Sequence, residues 1–131
     1  MTTALQLIWG FVIASALPAS VSAFAAVGGG QAGESPAQTI EVTASRYKFE
    51  PAVIEVPAGR HLRLVLRSAD TTHGLAIEAL DVEVVIPKGG EPVTVELVPG
   101  RPGRYPFKCS EYCGSGHKRM RGELVVTEGG Q

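Results

Sequence analysis

The stretch His61-Leu62-Arg63-Leu64-Val65-Leu66-Arg67 decides the fold class, because apolar and polar side chains alternate along it. Leu62, Leu64 and Leu66 share one face, and polar residues occupy most of the other face. A period of two is typical of a β-strand with one buried face. His61 lies on the polar face, so we expect it to be a surface histidine rather than a ligand.

The same short, alternating pattern recurs along the chain after Pro36, and turns rich in Pro and Gly separate the segments. No stretch there has a sustained helical period of 3.6 residues. Regularly spaced short strands favour an all-β fold, an antiparallel sandwich or barrel. The further predicted strands are Thr39–Thr43, Ala52–Val56, Gly74–Glu78, Val82–Ile86, Val93–Val98, Arg104–Lys108 and Gly122–Thr127.

The amino-terminal segment, residues 1–27, is mostly apolar and contains no Asp, Glu, Lys or Arg. It predicts either a cleaved signal peptide or a single transmembrane anchor, since small residues near its end suit cleavage and its length suits a membrane span. Residues 28–37 are rich in Gly, Ser and Pro and predict a linker. Residues 38–128 would then form one domain, delivered outside the cytoplasm to the periplasm or the outer membrane face.

The overall charge excludes one class of function. A formal net charge of −1, with no long run of basic residues, gives no general attraction to nucleic acid. We also find no Ser/His/Asp, paired-carboxylate or phosphate-loop pattern, so the sequence gives no sign of catalysis by this chain alone.

The segment Cys109–Met120 reads C-S-E-Y-C-G-S-G-H-K-R-M and contains both cysteines, one of three histidines and the only methionine after Met1. Thiolate, thioether and imidazole are ligands that suit copper. The segment lies between two predicted strands, which would hold the loop at both ends. One short loop cannot surround a metal, so we expect a further ligand from elsewhere, and His73, in a predicted loop, is a better candidate than His61.

Other interpretations of this segment use fewer of its residues. A disulfide between the two cysteines would leave the histidines and the methionine unexplained. A zinc site has no use for methionine. A thioredoxin-like copper chaperone would require helices that the sequence lacks. A copper store or sensor on the same β fold stays open beside electron transfer.

Together, Asp70-Thr71-Thr72-His73-Gly74 and the Cys109–Met120 segment resemble the copper-binding CuA domain of cytochrome c oxidase subunit II. The resemblance extends from about Tyr47 to Thr127. It implies a cupredoxin-like fold, a Greek-key β-sandwich, preceded here by one N-terminal hydrophobic segment.

The resemblance also implies two copper ions and six metal ligands, namely His73, Cys109, Glu111, Cys113, His117 and Met120. The two cysteines would bridge the copper ions, and each histidine would bind one of them. The methionine thioether and the backbone carbonyl of the glutamate would be weak ligands.

The function that the resemblance implies is electron transfer from a cytochrome c or cupredoxin donor to subunit I of a haem-copper oxidase. The alternative is a free-standing extracytoplasmic protein for copper storage, sensing or delivery. Leu75 occupies a position where the family tends to have an aromatic residue. Three basic residues beside the segment would disfavour a basic cytochrome c and favour an acidic donor, namely Lys118, Arg119 and Arg121.

Overall fold

The computed structural model describes residues 36–129, so the signal or anchor predicted at residues 1–27 and most of the linker predicted at residues 28–37 lie outside it. Within the described range, no helix is long and apolar enough to cross a membrane. Two single-turn 3-10 helices, Glu78–Leu80 and His117–Arg119, accompany nine strands. The strands are β1 Gln38–Ser45, β2 Lys48–Glu50, β3 Val53–Pro57, β4 Leu62–Ser68, β5 His73–Ile77, β6 Val82–Ile86, β7 Val93–Leu97, β8 Gly103–Lys108 and β9 Arg121–Thr127.

The strands form two sheets, ordered β2-β1-β4-β7 and β3-β9-β8-β5-β6. The predicted all-β sandwich is therefore confirmed. The expectation of antiparallel pairing is wrong for two pairs, since β1 runs parallel to β4 and β3 runs parallel to β9. Neither pair is consecutive in sequence, and a period of two marks a buried face without fixing the direction of a neighbouring strand.

The core lies between the two sheets and begins with the stretch that indicated the fold. Leu62, Leu64 and Leu66 are all buried on one face of β4, as the alternation predicted. Phe49 of β2 packs edge to face against Phe107 of β8, with ring centroids 5.2 Å apart, and so connects one sheet to the other. The short strand β2 was not among the predicted strands, because three residues are too few to show a period.

Gly122 tests how tightly this core is packed. A Cβ at Gly122 would overlap the Phe107 ring and lie 2.6 Å from the carbonyl oxygen of Ala52, whereas a Cβ at Gly100 would meet nothing within 4 Å. We expect Gly122→Ala to lower the free energy of unfolding by about 1–3 kcal/mol through overpacking. Gly100→Ala, the control, should change it by less than about 0.5 kcal/mol. Equal urea midpoints for the two variants would contradict this packing.

Candidate metal centre

The loop Cys109–Met120, hereafter the ligand loop, is closed by the two strands that flank it. Lys108 of β8 pairs with Arg121 of β9, and the Cys109 amide donates a hydrogen bond of 3.0 Å to the Met120 carbonyl. The loop therefore begins and ends at one fixed place at the edge of the sandwich. Both ends of the loop supply a sulfur atom, and the strand pair fixes where those sulfurs lie.

Two glycines let the ligand loop fold back beneath an aromatic ring. Gly114 has a φ of 133°, and a Cβ there would lie 2.5 Å from the Tyr47 hydroxyl. A Cβ at Gly116 would overlap the Tyr47 ring. The His117 amide donates to the Gly114 carbonyl at 3.0 Å, which starts the single 3-10 turn that carries His117. Side chains at either glycine would push the loop off Tyr47 and move His117.

His73 reaches the ligand loop from β5. The sequence placed it in a loop, but it is the first residue of β5 and is fully buried. The antiparallel register of β5 with β8, continued past the end of β8, would set His73 opposite Glu111. The next residue, Gly74, makes the approach possible, because a Cβ there would overlap Ser110 Oγ and lie 2.9 Å from the Glu111 amide nitrogen.

The first half of the site is built around Cys109. Its Sγ lies 3.8 Å from His73 Nδ1 and 3.1 Å from the backbone carbonyl oxygen of Glu111. The same Sγ lies 3.8 Å from Cys113 Sγ. Because the Glu111 carbonyl faces the sulfur, it is the backbone of this residue that offers a donor atom.

The second half of the site is built around Cys113. Its Sγ lies 3.9 Å from His117 Nδ1 and 3.8 Å from Met120 Sδ. The two halves thus match: each pairs one thiol with one imidazole and one weaker donor. The structure brings all six predicted ligands into one cluster around the two sulfurs.

The cluster is largely shielded from water. Both thiols are 3% exposed, and Met120 and His73 are 0% exposed. His117 alone among the predicted side-chain ligands is only partly buried. Both cysteines are free thiols, so the structure does not contain the disulfide considered as an alternative.

His61, the histidine set aside in the sequence, takes no part in the cluster. It precedes β4 at the end of the strand farther from Asp70, about 20 Å along a strand of this length. Its ring contacts Glu96 at 3.5 Å, and its side chain is 32% exposed. The choice of His73 over His61 agrees with this geometry.

Asp70 orients His73, a role that the sequence analysis did not assign. Asp70 Oδ1 lies 2.7 Å from His73 Nε2, and the amides of Thr71 and Arg46 donate to the two carboxylate oxygens at 2.7 Å and 2.8 Å. Burial opposes the charge, but the hydrogen bonds from Arg46, His73 and Thr71 outweigh it and lower the pKa of Asp70 below its ordinary value. With Nε2 engaged by Asp70, Nδ1 faces the Cys109 sulfur.

Arg46 joins the two halves of the site. Its Nε donates a hydrogen bond of 2.8 Å to the Cys113 carbonyl, while its amide holds Asp70. The turn between β1 and β2 therefore braces both the ligand loop and the carboxylate behind His73. Asp70 could have been found from its position three residues before His73, but no local pattern connects Arg46 with Cys113, 67 positions away.

The donor atoms fit a soft metal such as copper. Two sulfurs, two imidazole nitrogens, a thioether and one carbonyl converge, and carboxylate side chains are absent from the cluster formed by the described residues. Magnesium, calcium and manganese favour oxygen ligands, whereas thiolate, thioether and imidazole suit copper. The sulfurs must lose protons to bind a metal, and burial, followed by the neighbouring Cys109 thiol, raises the pKa of Cys113 to about 11.

Comparison with known proteins agrees with this class of fold and site. Residues 7–126 match the family model described as a cupredoxin-like domain. The protein is a β-sandwich with a cluster of soft donors at one edge, and the chain belongs to the family of cupredoxin-like domains.

Within that family, the predicted resemblance to cytochrome c oxidase subunit II is confirmed. Subunit 2 of cytochrome c oxidase from Thermus thermophilus is 40% identical over 91 residues, which cover 69% of this chain and 66% of that relative. A second sequence of the same name, from another strain of Thermus thermophilus, is also 40% identical, and the match covers 53% of its length. Thus the chain spans about half to two thirds of the length of these relatives.

Solved structures support the same fold. The periplasmic domain of subunit II of cytochrome oxidase from Bradyrhizobium japonicum superposes with a TM-score of 0.63 at 20% identity, covering 69% of this chain and 83% of that one. A chain of a haem-copper terminal oxidase dimer has a TM-score of 0.62 at 25% identity, covering 74% of this chain and 67% of that one.

Removing the carboxylate behind His73 should weaken metal binding. Asp70→Asn keeps the size of the side chain but replaces a charged acceptor of the His73 ring, so we expect the affinity for copper to fall about 10- to 100-fold. Asp81→Asn is the control, because Asp81 is exposed and an asparagine tolerates its positive φ. Competition with a chelator measures both. Equal affinities in the two variants would show that Asp70 does not orient His73.

Copper affinity should also depend on pH. Protons compete with the metal for the Cys113 sulfur at every pH below about 11. This thiol alone should weaken binding about tenfold for each unit by which the pH falls, and other ligand protons add to that slope. Chelator competition at about pH 6, 7 and 8 tests the sign. Affinity that stays constant or rises as the pH falls would contradict thiolate ligation.

Proposed function

We propose that this protein is an extracytoplasmic electron carrier that binds two copper ions between Cys109 and Cys113. His73 and His117 would each bind one ion, and Met120 and the Glu111 carbonyl would be weak ligands. Residues 1–27, which lie outside the described range, would serve as the signal or anchor that places the domain outside the cytoplasm.

The arrangement of donor atoms carries the proposal of two ions. One ring nitrogen of His73 and the two Sγ atoms lie within 4.8 Å of one another, and His117 does not join that set. Two donors of one ion can be no farther apart than the sum of two metal–ligand bonds, about 4.4 Å for nitrogen and sulfur. One ion therefore cannot bind both histidines and both cysteines. Two ions that share the sulfurs can use all of them.

When bound, copper would supply one-electron oxidation and reduction. The protein's own part is to hold the ligands still, since electron transfer is fast when bond lengths change little. The Cys109 amide bond to Met120 closes the loop, Tyr47 covers its glycines, and Asp70 fixes His73. The buried thiols and thioether exclude water from the site.

The proposed partners are those of the relatives. Both Thermus relatives are named as subunits of cytochrome c oxidase, and one structural neighbour is a haem-copper terminal oxidase. We therefore propose that the site receives electrons from a soluble redox protein, a cytochrome c or a cupredoxin, and passes them to subunit I of a haem-copper oxidase, which performs the catalysis.

Copper storage, sensing or delivery is the alternative that the sequence left open. A protein that hands copper to a partner needs donors that the partner can reach. Cys109, Cys113 and Met120 are between 0% and 3% exposed, which disfavours rapid exchange of the metal. This burial favours the electron carrier.

Electron paramagnetic resonance of the copper-loaded protein tests the proposal. An electron shared equally by two copper nuclei of spin 3/2 gives seven hyperfine lines, whereas an electron on one copper gives four. We expect seven lines and about two copper ions per chain, by analogy with thiolate-bridged copper chemistry.

Cys113→Ser provides the matched variant, because it removes one bridging sulfur and the neighbour of His117 and Met120. It should bind at most one copper and give four lines. Four lines from the unaltered protein, or two copper ions retained by Cys113→Ser, would overturn the proposed function.

A further inference from the structure

Three exposed cations surround the least buried ligand. Lys118 and Arg119 form the single helical turn with His117, and Arg121 begins β9 directly after the ligand loop. Within residues 36–129, none of the three forms an ion pair with a carboxylate. We call them the basic rim. Their charges face solvent rather than neutralising a neighbour.

Few carboxylates offset the basic rim. The ligand loop itself contains one, Glu111, which is exposed. Glu78 is hydrogen-bonded to Lys108, and this ion pair lowers the pKa of Glu78. Arg46 adds a fourth cation where it contacts the Cys113 carbonyl. Since the whole chain has a formal net charge of −1, the positive charge is concentrated at this face.

A cleft of about 560 Å³ opens beside the basic rim. Lys118 and Arg121 line one part of it, Asp81 and Glu83 line another, and both His117 and Cys109 contribute to its lining. Opposite charges along one cleft would orient a charged partner as well as attract it.

An aromatic ring stands next to His117. Tyr112 is 79% exposed, and its ring centroid lies 5.8 Å from that of His117. Large exposed aromatic side chains beside charged ones are typical anchors of protein interfaces. The sequence analysis noted the absence of an aromatic residue at Leu75 and overlooked Tyr112, although it stands next to Cys113 in the ligand loop.

We propose that a redox protein with an acidic face docks here, with its carboxylates on the basic rim and its apolar surface against Tyr112. This rests on the proposed function and specifies its electron donor. The donor loses one electron, the metal site gains it, and no bond or proton is exchanged. The electron enters through His117, because His73 is fully buried and its second ring nitrogen is held by Asp70.

Two probes that differ chiefly in charge test the docking surface. One is a basic cytochrome c, and the other is the same cytochrome c after succinylation of its lysines, which makes it acidic. Each, reduced, is mixed with the full chain loaded with copper in a stopped-flow instrument. At about 10 mM ionic strength we expect the acidic probe to react at least about tenfold faster, and we expect the advantage to shrink at about 200 mM.

Two double variants with equal changes of charge locate the surface. Lys118→Glu/Arg119→Glu should remove the advantage of the acidic probe. Arg60→Glu/Arg101→Glu changes two exposed arginines in the turns before β4 and β8, at the opposite ends of those strands, and should keep the rate within about twofold. Equal losses in both variants, or a faster reaction with the basic probe, would overturn the proposal.

A neutral reductant separates this inference from the proposed function. If hydroquinone reduces the copper site and the basic probe is still the faster partner, the docking proposal fails and the electron carrier stands. If hydroquinone leaves the site oxidised, the electron carrier fails. Binding of the oxidised acidic probe to the unaltered chain and to Lys118→Glu/Arg119→Glu then decides the docking surface: a loss of at least about tenfold in affinity supports it, and equal affinities refute it.

Discussion

The hydrogen bond from the Cys109 amide to the Met120 carbonyl is the contact on which the metal centre depends. It continues the β8–β9 pairing by one residue and so makes the ligand loop a closed loop at the edge of a rigid sandwich. Without it, the sulfurs at the two ends of the loop would separate. With it, the loop needs only two glycines and the cover of Tyr47 to turn Cys113 and His117 back toward Cys109.

The rest of the sandwich supplies what a loop cannot. β5 brings in His73, and the absence of a side chain at Gly74 lets the strand approach the loop closely. The turn after β1 supplies Arg46, which connects the Cys113 carbonyl with Asp70 and so ties the two halves of the site together. Holding donors from several elements at fixed positions reduces the movement that accompanies a change of oxidation state. The same rigid arrangement leaves His117 as the one partly exposed side-chain ligand, where a donor protein could approach.

The sequence predicted the strands and the cluster well because both depend on local patterns. Alternation along His61–Arg67 identified the buried face of β4, and the spacing within Cys109–Met120 identified a loop of soft ligands. The parallel pairs were missed, since the direction of a neighbouring strand depends on distant connections. Arg46 was missed for the same reason, because its contact with Cys113 exists only in the folded chain. Tyr112 was visible in the loop, but its exposure depends on how the loop folds.

Anomalous diffraction at the copper edge, from crystals of the copper-loaded protein, tests the central claim most directly. That claim is that Cys109 and Cys113 are shared by two metal ions, because the donors are spread too widely for one ion to bind both cysteines and both histidines. The account predicts two peaks, each within bonding distance of both sulfurs, one beside His73 and the other beside His117. A single peak bound by His73, Cys109 and Cys113, with His117 left unbound, would contradict it.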